Sequence, residues 1–182
     1  MGNVVQLDFG YSFFFNTPVT SLIAERLPAT LLLVFTAQLF AILIGVVLGV
    51  ISAQRPNGML SHFVTLLALF GYSAPVFWTG IMLLIGLSLM LPLFPVAGMV
   101  DARLMDAPMW RQYLDVLHHL FLPALTLASI FLALYSRLCR ASMLEVLGAD
   151  YIRTARAKGL TEREIVYKHA LKNSLGPVVT LA

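Results

Sequence analysis

The run from Leu27 to Ala53, LPATLLLVFTAQLFAILIGVVLGVISA, contains no charged side chain. A helix needs roughly 20 predominantly apolar residues to cross the hydrocarbon core of a bilayer, and this run exceeds that length. Backbone amides in hydrocarbon must be satisfied within the segment, so a run of this kind is a membrane helix. The rest of the chain agrees. Only 12% of its residues are charged and its mean hydropathy is +0.87, whereas a soluble domain carries about 25% charged residues.

Two further runs follow. Leu60 to Leu91 is uncharged apart from a proton on His62, but it is longer than one straight span and is interrupted by Pro75. It reads as one broken or tilted helix. Between His119 and Arg137, LFLPALTLASIFLALYS is near the short end of the spanning range. A fourth apolar run begins near Leu175 and stops with the chain at Ala182, the ending expected of a fragment. The expected fold is all-α, a polytopic transmembrane bundle of about three complete spans and a truncated fourth. Its expected divisions within a single domain, 1–182, are an external segment 1–26, a span 27–53, a span 60–91 broken near Pro75, an external loop 92–118, a span 119–139, a cytoplasmic loop 140–173 and the start of a span at 174–182.

Cations set the orientation, because cytoplasmic loops near membrane helices keep an excess of Lys and Arg. Eight of the twelve, Arg137, Arg140, Arg153, Arg156, Lys158, Arg163, Lys168 and Lys172, fall in one stretch. That stretch is expected to be cytoplasmic. Tracing back through single spans leaves Arg26, Arg103 and Arg111 outside, outnumbered by Asp8, Glu25, Asp101, Asp106 and Asp115. Residues 1–26 lack a basic n-region and a small-residue cleavage site, so they do not read as a signal peptide. Cys139 is the only cysteine, which excludes an internal disulfide.

The basic stretch has an internal design. Asp150 is expected to cap a short helix, YIRTARAK, and Gly159 to end it in the left-handed conformation with Leu160 beyond. Thr161-Glu162-Arg163-Glu164 is a capping box that starts a second helix through Ile165, Val166, Ala170 and Leu171. Small residues at Ala155, Ala157 and Gly159, surrounded by Arg153, Arg156 and Lys158, would let a partner approach the backbone. Together these features describe a bent docking knob. The blander alternative is an amphipathic segment whose cations rest on anionic headgroups.

DYIRTARAKGL followed by HALKNSLGPVVT resembles the cytoplasmic signature loop of the integral membrane subunits of binding-protein-dependent ABC importers, in the dipeptide, oligopeptide and nickel branch. LDFGYSFFFNTPV, ERLPATLLL, SAPVFWTGIMLL and HLFLPALTLA resemble upstream parts of the same permeases, so the likeness covers nearly the whole chain. RASMLEVLGADYIRTARAKGL is its most specific stretch. The broader importer motif, E-A-A-x-x-x-G with a later I-x-L-P, is met only in part: Ala155 and Gly159 match, Arg153 and Thr154 replace the Glu and first Ala, and Lys172 stands at the Pro position.

The resemblance implies a permease with the type I importer fold, in a bacterial or archaeal cytoplasmic membrane. This chain would be an internal part of it, with about one helix preceding and about two following. It implies four kinds of partner: a second permease subunit, two cytoplasmic ATP-binding subunits, an external solute-binding protein and the bilayer. Cargo would be peptides or a related small solute, nickel included. The coupling element would comprise Asp150, Tyr151, Ile152, Arg153, Thr154, Ala155, Arg156, Ala157, Lys158, Gly159, Thr161 and Glu164. No G-x-x-x-x-G-K-[ST] loop occurs, so the chain is expected to be a transport subunit rather than an enzyme, without a cofactor or ATP site of its own.

Candidate pathway residues are Pro75, Phe77 and Trp78, since broken helices often line membrane cavities. For Trp78 and Tyr72 an interfacial aromatic belt is the competing reading. Gln38 lies mid-span, facing either the pathway or another helix, the second being favoured. Asp115, His118 and His119 could suggest a membrane metallohydrolase, but two or three ligands on one helix lack a placed partner. A proton-coupled secondary transporter is the other alternative, disfavoured by the absence of Asp, Glu, Lys and Arg within the spans. Nucleic-acid binding is not expected, because no aromatic platform accompanies the cations.

Overall fold

The computed structural model describes residues 9–104 and 106–181. Asp8 and the rest of the first eight residues of the expected external segment, and the last residue of the expected fourth span, lie outside the described residues. A two-residue hairpin opens the fold, with β1 (Tyr11–Ser12) paired antiparallel to β2 (Thr17–Pro18). Gly10, just before the hairpin, and Asn16, in its turn, take positive φ, 78° and 52°. Among the described residues everything else that is regular is helical, which makes this an all-α polytopic membrane fold.

Helix α1 runs from Val19 to Gln54 and α4 from Met109 to Gly148. At 1.5 Å per residue they are about 54 and 60 Å long, far beyond a hydrocarbon core of about 30 Å. Both are long and apolar enough to cross a membrane. Helix α2 (Met59–Ser73) and α3 (Val76–Leu84), the latter prolonged by a π-helical stretch, Ile85–Met90, form a third crossing if taken as one span. They meet at Pro75 with a bend of 109°, much sharper than a tilted or simply kinked helix. Pro75 has extended backbone angles and no N–H to continue the α2 ladder, and Ala74 before it is driven out of the helical region.

The expected boundaries at 118 and 140 are not ends of elements. Residues 109–118 and 140–148 are full turns of α4, because apolar and polar residues alike keep good helical propensity there and neither stretch holds a Gly or Pro before Gly148; Pro123, inside the helix, lies between them. The short turn Ala102–Leu104 is the only helical piece described between Leu91 and Met109.

In lipid, helices do not associate by the hydrophobic effect, so close backbone approach must hold them. Ala37, Ala41, Gly45, Gly49 and Ala53 recur every fourth residue of α1 and put a smooth, buried stripe against α4. A methyl added at Gly45 would lie 2.7 Å from Cβ of Tyr135, and one at Gly49 2.7 Å from Cβ of Cys139. Gln38 Nε2 donates to the hydroxyl of Tyr135, so this mid-span amide bonds to another helix. Ser52 and Ser61 pair through their hydroxyls at 3.2 Å, joining α1 to α2.

Past α4 come α5 (Asp150–Ala157), α6 (Glu162–Glu164), a π-helical stretch Ile165–Ala170, α7 (Leu171–Ser174) and α8 (Gly176–Leu181). One buried cluster joins these pieces to the long helices. It contains Ala41, Val50 and Ala53 of α1, Ala128, Tyr135, Cys139 and Met143 of α4, then Ile152, Ile165, Val166, Ala170 and Val178.

Candidate functional site

The basic stretch folds as an elbow whose inner face is apolar and whose outer face is charged. Helix α5 begins one residue earlier than expected. Ala149 is the N-cap: its carbonyl accepts from the N–H groups of Ile152 and Arg153 at 3.1 and 3.3 Å, and it contributes no side-chain cap. Asp150 therefore does not cap the helix. It occupies the first turn, where its charge still favours the helix N-terminus, and its Oδ1 accepts from Nη1 of Arg153 at 3.4 Å. The Ala149 N–H closes back on Val146 at the end of α4, which fixes the turn at this register.

The other end follows expectation. Gly159 has φ 84°, and its N–H bonds the carbonyl of Arg156 at 2.9 Å while that of Leu160 bonds Ala155 at 3.3 Å. This pair of bonds is a Schellman cap. Thr161 and Glu164 then form a reciprocal capping box: the Glu164 N–H donates to the Thr161 hydroxyl at 3.3 Å, and the Thr161 N–H donates to Glu164 Oε2 at 3.1 Å. The Thr161 hydroxyl, donating to Glu164 Oε2 at 2.9 Å, and then the Thr161 N–H hold the Glu164 carboxyl below its ordinary pKa.

Two side-chain clamps cross the corner. Arg156 donates from Nε to Oε1 of Glu162 at 2.7 Å and from Nη2 to Oε2 at 3.3 Å. This fork lowers the Glu162 pKa and raises that of Arg156. On the far side Asn173 Nδ2 donates to the hydroxyl of Tyr151 at 2.9 Å. The corner is braced on both flanks.

Ile152 is fully buried, against Ile165, Val166 and Ala170. Burying such a side chain stabilises by about 1.5–3 kcal/mol, enough to seat α5 on the bundle. Ala155 is half-buried on the same face and packs on that cluster, so it is not part of an open approach surface. Tyr151, Arg153, Thr154, Arg156, Ala157, Lys158, Gly159, Thr161 and Glu164 are exposed. Of the three small residues, only Ala157 and Gly159 present backbone to the outside.

At the opposite end of α4, Asp115 and the two histidines tie down the loop after α3. Asp115 Oδ2 accepts from the Asp101 N–H at 2.6 Å. His119 Nδ1 donates to the Asp115 carbonyl at 2.9 Å and lies 3.3 Å from its Oδ1. His118 Nε2 donates to the carbonyl of Leu93 at 2.8 Å, and Phe94 stacks on Phe121. Among the described residues no three His, Cys, Asp or Glu side chains converge as a metal site would require. The cluster's bonds are those of a structural tether.

The break at Pro75 leaves Phe77 68% and Trp78 40% exposed, with Trp78 edge-on to Phe70 at 5.8 Å. A cavity of about 380 Å³ opens elsewhere, between Leu33 of α1, Gly80 and Leu84 of α3, Ala97, and His119 and Thr126 of α4. Phe77 and Trp78 are not in its wall. Tyr72 lies under the guanidinium of Arg137 at 5.2 Å.

Sequence reasoning missed the small stripe of α1, although its four-residue spacing is a readable signal. It also missed Arg140, which reaches from α4 to the carbonyl of Pro56 in the α1–α2 turn at 3.3 Å.

Long apolar helices followed by a braced, cation-rich elbow define a membrane-embedded helical protein. Residues 45–182 match the family described as the inner membrane component of binding-protein-dependent transport systems. The chain belongs to that family. It is 42% identical over 182 residues to the oligopeptide transport system permease protein AppB of Bacillus subtilis, covering all of this chain and 56% of that one. It is 42% identical over 194 residues to the dipeptide transport system permease protein DppB of Haemophilus influenzae, again with all of this chain and 58% of the relative. Against DppB of Escherichia coli K12 the identity is 40% over 194 residues, 98% of this chain and 57% of the other. The chain spans little more than half the length of these relatives.

Proposed function

We propose that this chain is part of a permease subunit of an ATP-driven importer in a bacterial cytoplasmic membrane, carrying peptides, and that residues 150–172 dock a cytoplasmic ATPase. The observation that carries the reading is the elbow itself. Its charged outer face is open, its corner is capped and clamped, and its inner face is continuous with the core of α1 and α4. A partner that moves such a stiff element moves the helices attached to it, which is what coupling between two sites requires.

The peptide cargo rests on the names of the relatives, two of which are dipeptide and one oligopeptide permeases; nothing comparable points to nickel. Placing the elbow in the cytoplasm rests on its cations. A second permease subunit, two ATP-binding subunits and an external solute-binding protein complete the machine. Binding protein would deliver solute at the acidic end, ATP would close the two ATPases, and the knob would tilt α4 and α1 between outward and inward openings.

Gly159→Asp in a full-length subunit tests this. An added Cβ at Gly159 meets nothing within 4 Å, so steric damage to the bundle is not expected, while the left-handed cap and the approach surface are both spoiled. Uptake and substrate-stimulated ATP hydrolysis should be lost while the subunit still inserts. Wild-type uptake in this variant would overturn the docking role.

A further inference from the structure

Where α1 ends, between it and the elbow, lies a second cavity of about 410 Å³. Arg55, Arg156, Glu162 and Arg163 contribute its charged wall, and Leu147, Val166 and Tyr167 its apolar and aromatic side. Glu162 is committed to Arg156 by two hydrogen bonds. Arg55 and Arg163 make no ion pair with any described residue, so the cavity holds three cations against one neutralised anion.

Its depth is fixed by the chain. Arg55 lies two residues beyond the apolar run that ends at Ala53, so when α1 crosses a bilayer Arg55 stands at the headgroup layer. A cavity of this size lies within the roughly 300–1,000 Å³ of small-ligand sites. Guanidinium groups are matched to phosphate oxygens by their fork of donors, and Tyr167 in the lining carries a neutral hydroxyl donor. An apolar wall beside the cations suits a ligand that is charged at one end and greasy at the other.

We infer that this cavity binds a phosphate-bearing anion through Arg55 and Arg163, with an anionic phospholipid headgroup or a soluble phosphate as its source. Occupied, it would join the end of α1 to the second arm of the elbow, and the lipid around the protein would then set how firmly the elbow is held. The inference needs only that α1 crosses the bilayer. It does not depend on an ATPase docking at the outer face.

The test uses the whole chain purified from membranes, with lipid retention read by native mass spectrometry and phosphate binding by calorimetry. Phosphatidylglycerol should be retained as a one-to-one adduct in preference to phosphatidylcholine, and the Arg55→Gln/Arg163→Gln double variant should weaken it roughly thirtyfold. Both positions are exposed, so folding is not at stake. Arg103→Gln/Arg111→Gln, at the opposite end, should leave retention unchanged. If inorganic phosphate binds the wild type but not the double variant and displaces the lipid, the site is confirmed with a soluble source. Equal retention of both lipids, unaffected by the double variant and with no phosphate binding, overturns the inference. Loss of transport in Gly159→Asp has no bearing on this readout, so the two readings fail separately.

Discussion

Arg156 and Glu162 lie on opposite arms of the elbow and meet through two hydrogen bonds, 2.7 and 3.3 Å, across the Gly159 turn. The pair is surface-exposed, so its value lies in fixing an angle between two short helices more than in stabilising the fold.

Acid should therefore loosen the elbow before it unfolds the bundle. Glu162 and Glu164 both have folded-state pKa values below the ordinary carboxylate value of about 4.3, Glu162 through the Arg156 hydrogen bond and Glu164 through those from Thr161. A lowered pKa means that the charged form is favoured by the fold. Their contribution is complete above the unfolded value and is lost as pH falls through the folded one. Amide hydrogen exchange across residues 159–165, corrected for intrinsic rate, should be constant from pH 8 to 5 and rise on going below about pH 4. Glu162→Gln combined with Glu164→Gln should show the raised exchange already at neutral pH. Unchanged protection in that variant would refute the bracing role.

Ala155 and Ala157 separate packing from docking. Ala155 packs on the buried cluster and Ala157 is exposed, although the sequence presents them as equivalent small residues. Ala155→Arg should lower thermal stability, because a charged side chain of that size cannot be accommodated against Ile152 without repacking. Ala157→Arg should leave the melting temperature within a degree or two of wild type, surface changes usually costing less than about 0.5 kcal/mol. It should nevertheless abolish co-purification with an ATPase partner. Co-purification surviving in Ala157→Arg would place the docking surface elsewhere.

How far the sequence carries is clear from these two positions. Caps and turns were legible because they depend on residues a few places apart: Gly159, and Thr161 with Glu164, do what their chemistry dictates. Asp150 misled because two adjacent residues can each end a turn, and the choice was made by the Ala149 N–H bonding back to Val146 of α4. Charge runs located the C-terminal end of α1 to within a residue but not the other helix ends, since α1 begins well before its apolar run and α4 extends past its own on both sides. The 109° bend at Pro75 could not be foreseen either: proline predicts an interruption, and the angle is set by what the two arms pack against. Which face of α5 is buried depends on Ile165 and Val166, residues of a different helix.

Gly45 and Gly49 should be intolerant of even one methyl group. An added Cβ at either position lies 2.7 Å from a Cβ of α4, and at Gly49 also 2.8 Å from the backbone oxygen of Ser136, which cannot rotate away. Alanine there forces the helices apart, at a cost of about 1–3 kcal/mol each. The control is Gly148, at the end of α4, where an added Cβ meets nothing within 4 Å. Thermal unfolding in detergent should show Gly45→Ala and Gly49→Ala several degrees below wild type and Gly148→Ala no lower than wild type. Equal melting temperatures for all three would mean that α1 and α4 are not packed through this stripe.

Asp115 should behave as a tether and not as a metal ligand. Its Oδ2 accepts from the Asp101 N–H at 2.6 Å, and its backbone carbonyl and Oδ1 both face His119 Nδ1. Asp115→Asn keeps an acceptor oxygen and should be mild, whereas Asp115→Ala leaves the Asp101 amide without its partner, costing about 1–3 kcal/mol if water does not replace it. The expected consequence is local: protease sensitivity of the segment around Asp101 should rise while the α1–α4 core melts at nearly the same temperature. A chelator added to the wild-type chain should alter neither quantity. If chelation reproduced the Asp115→Ala phenotype, and zinc reversed it, the pair Asp115 and His119 would have to be reassigned as half of a metal site completed by residues outside those described.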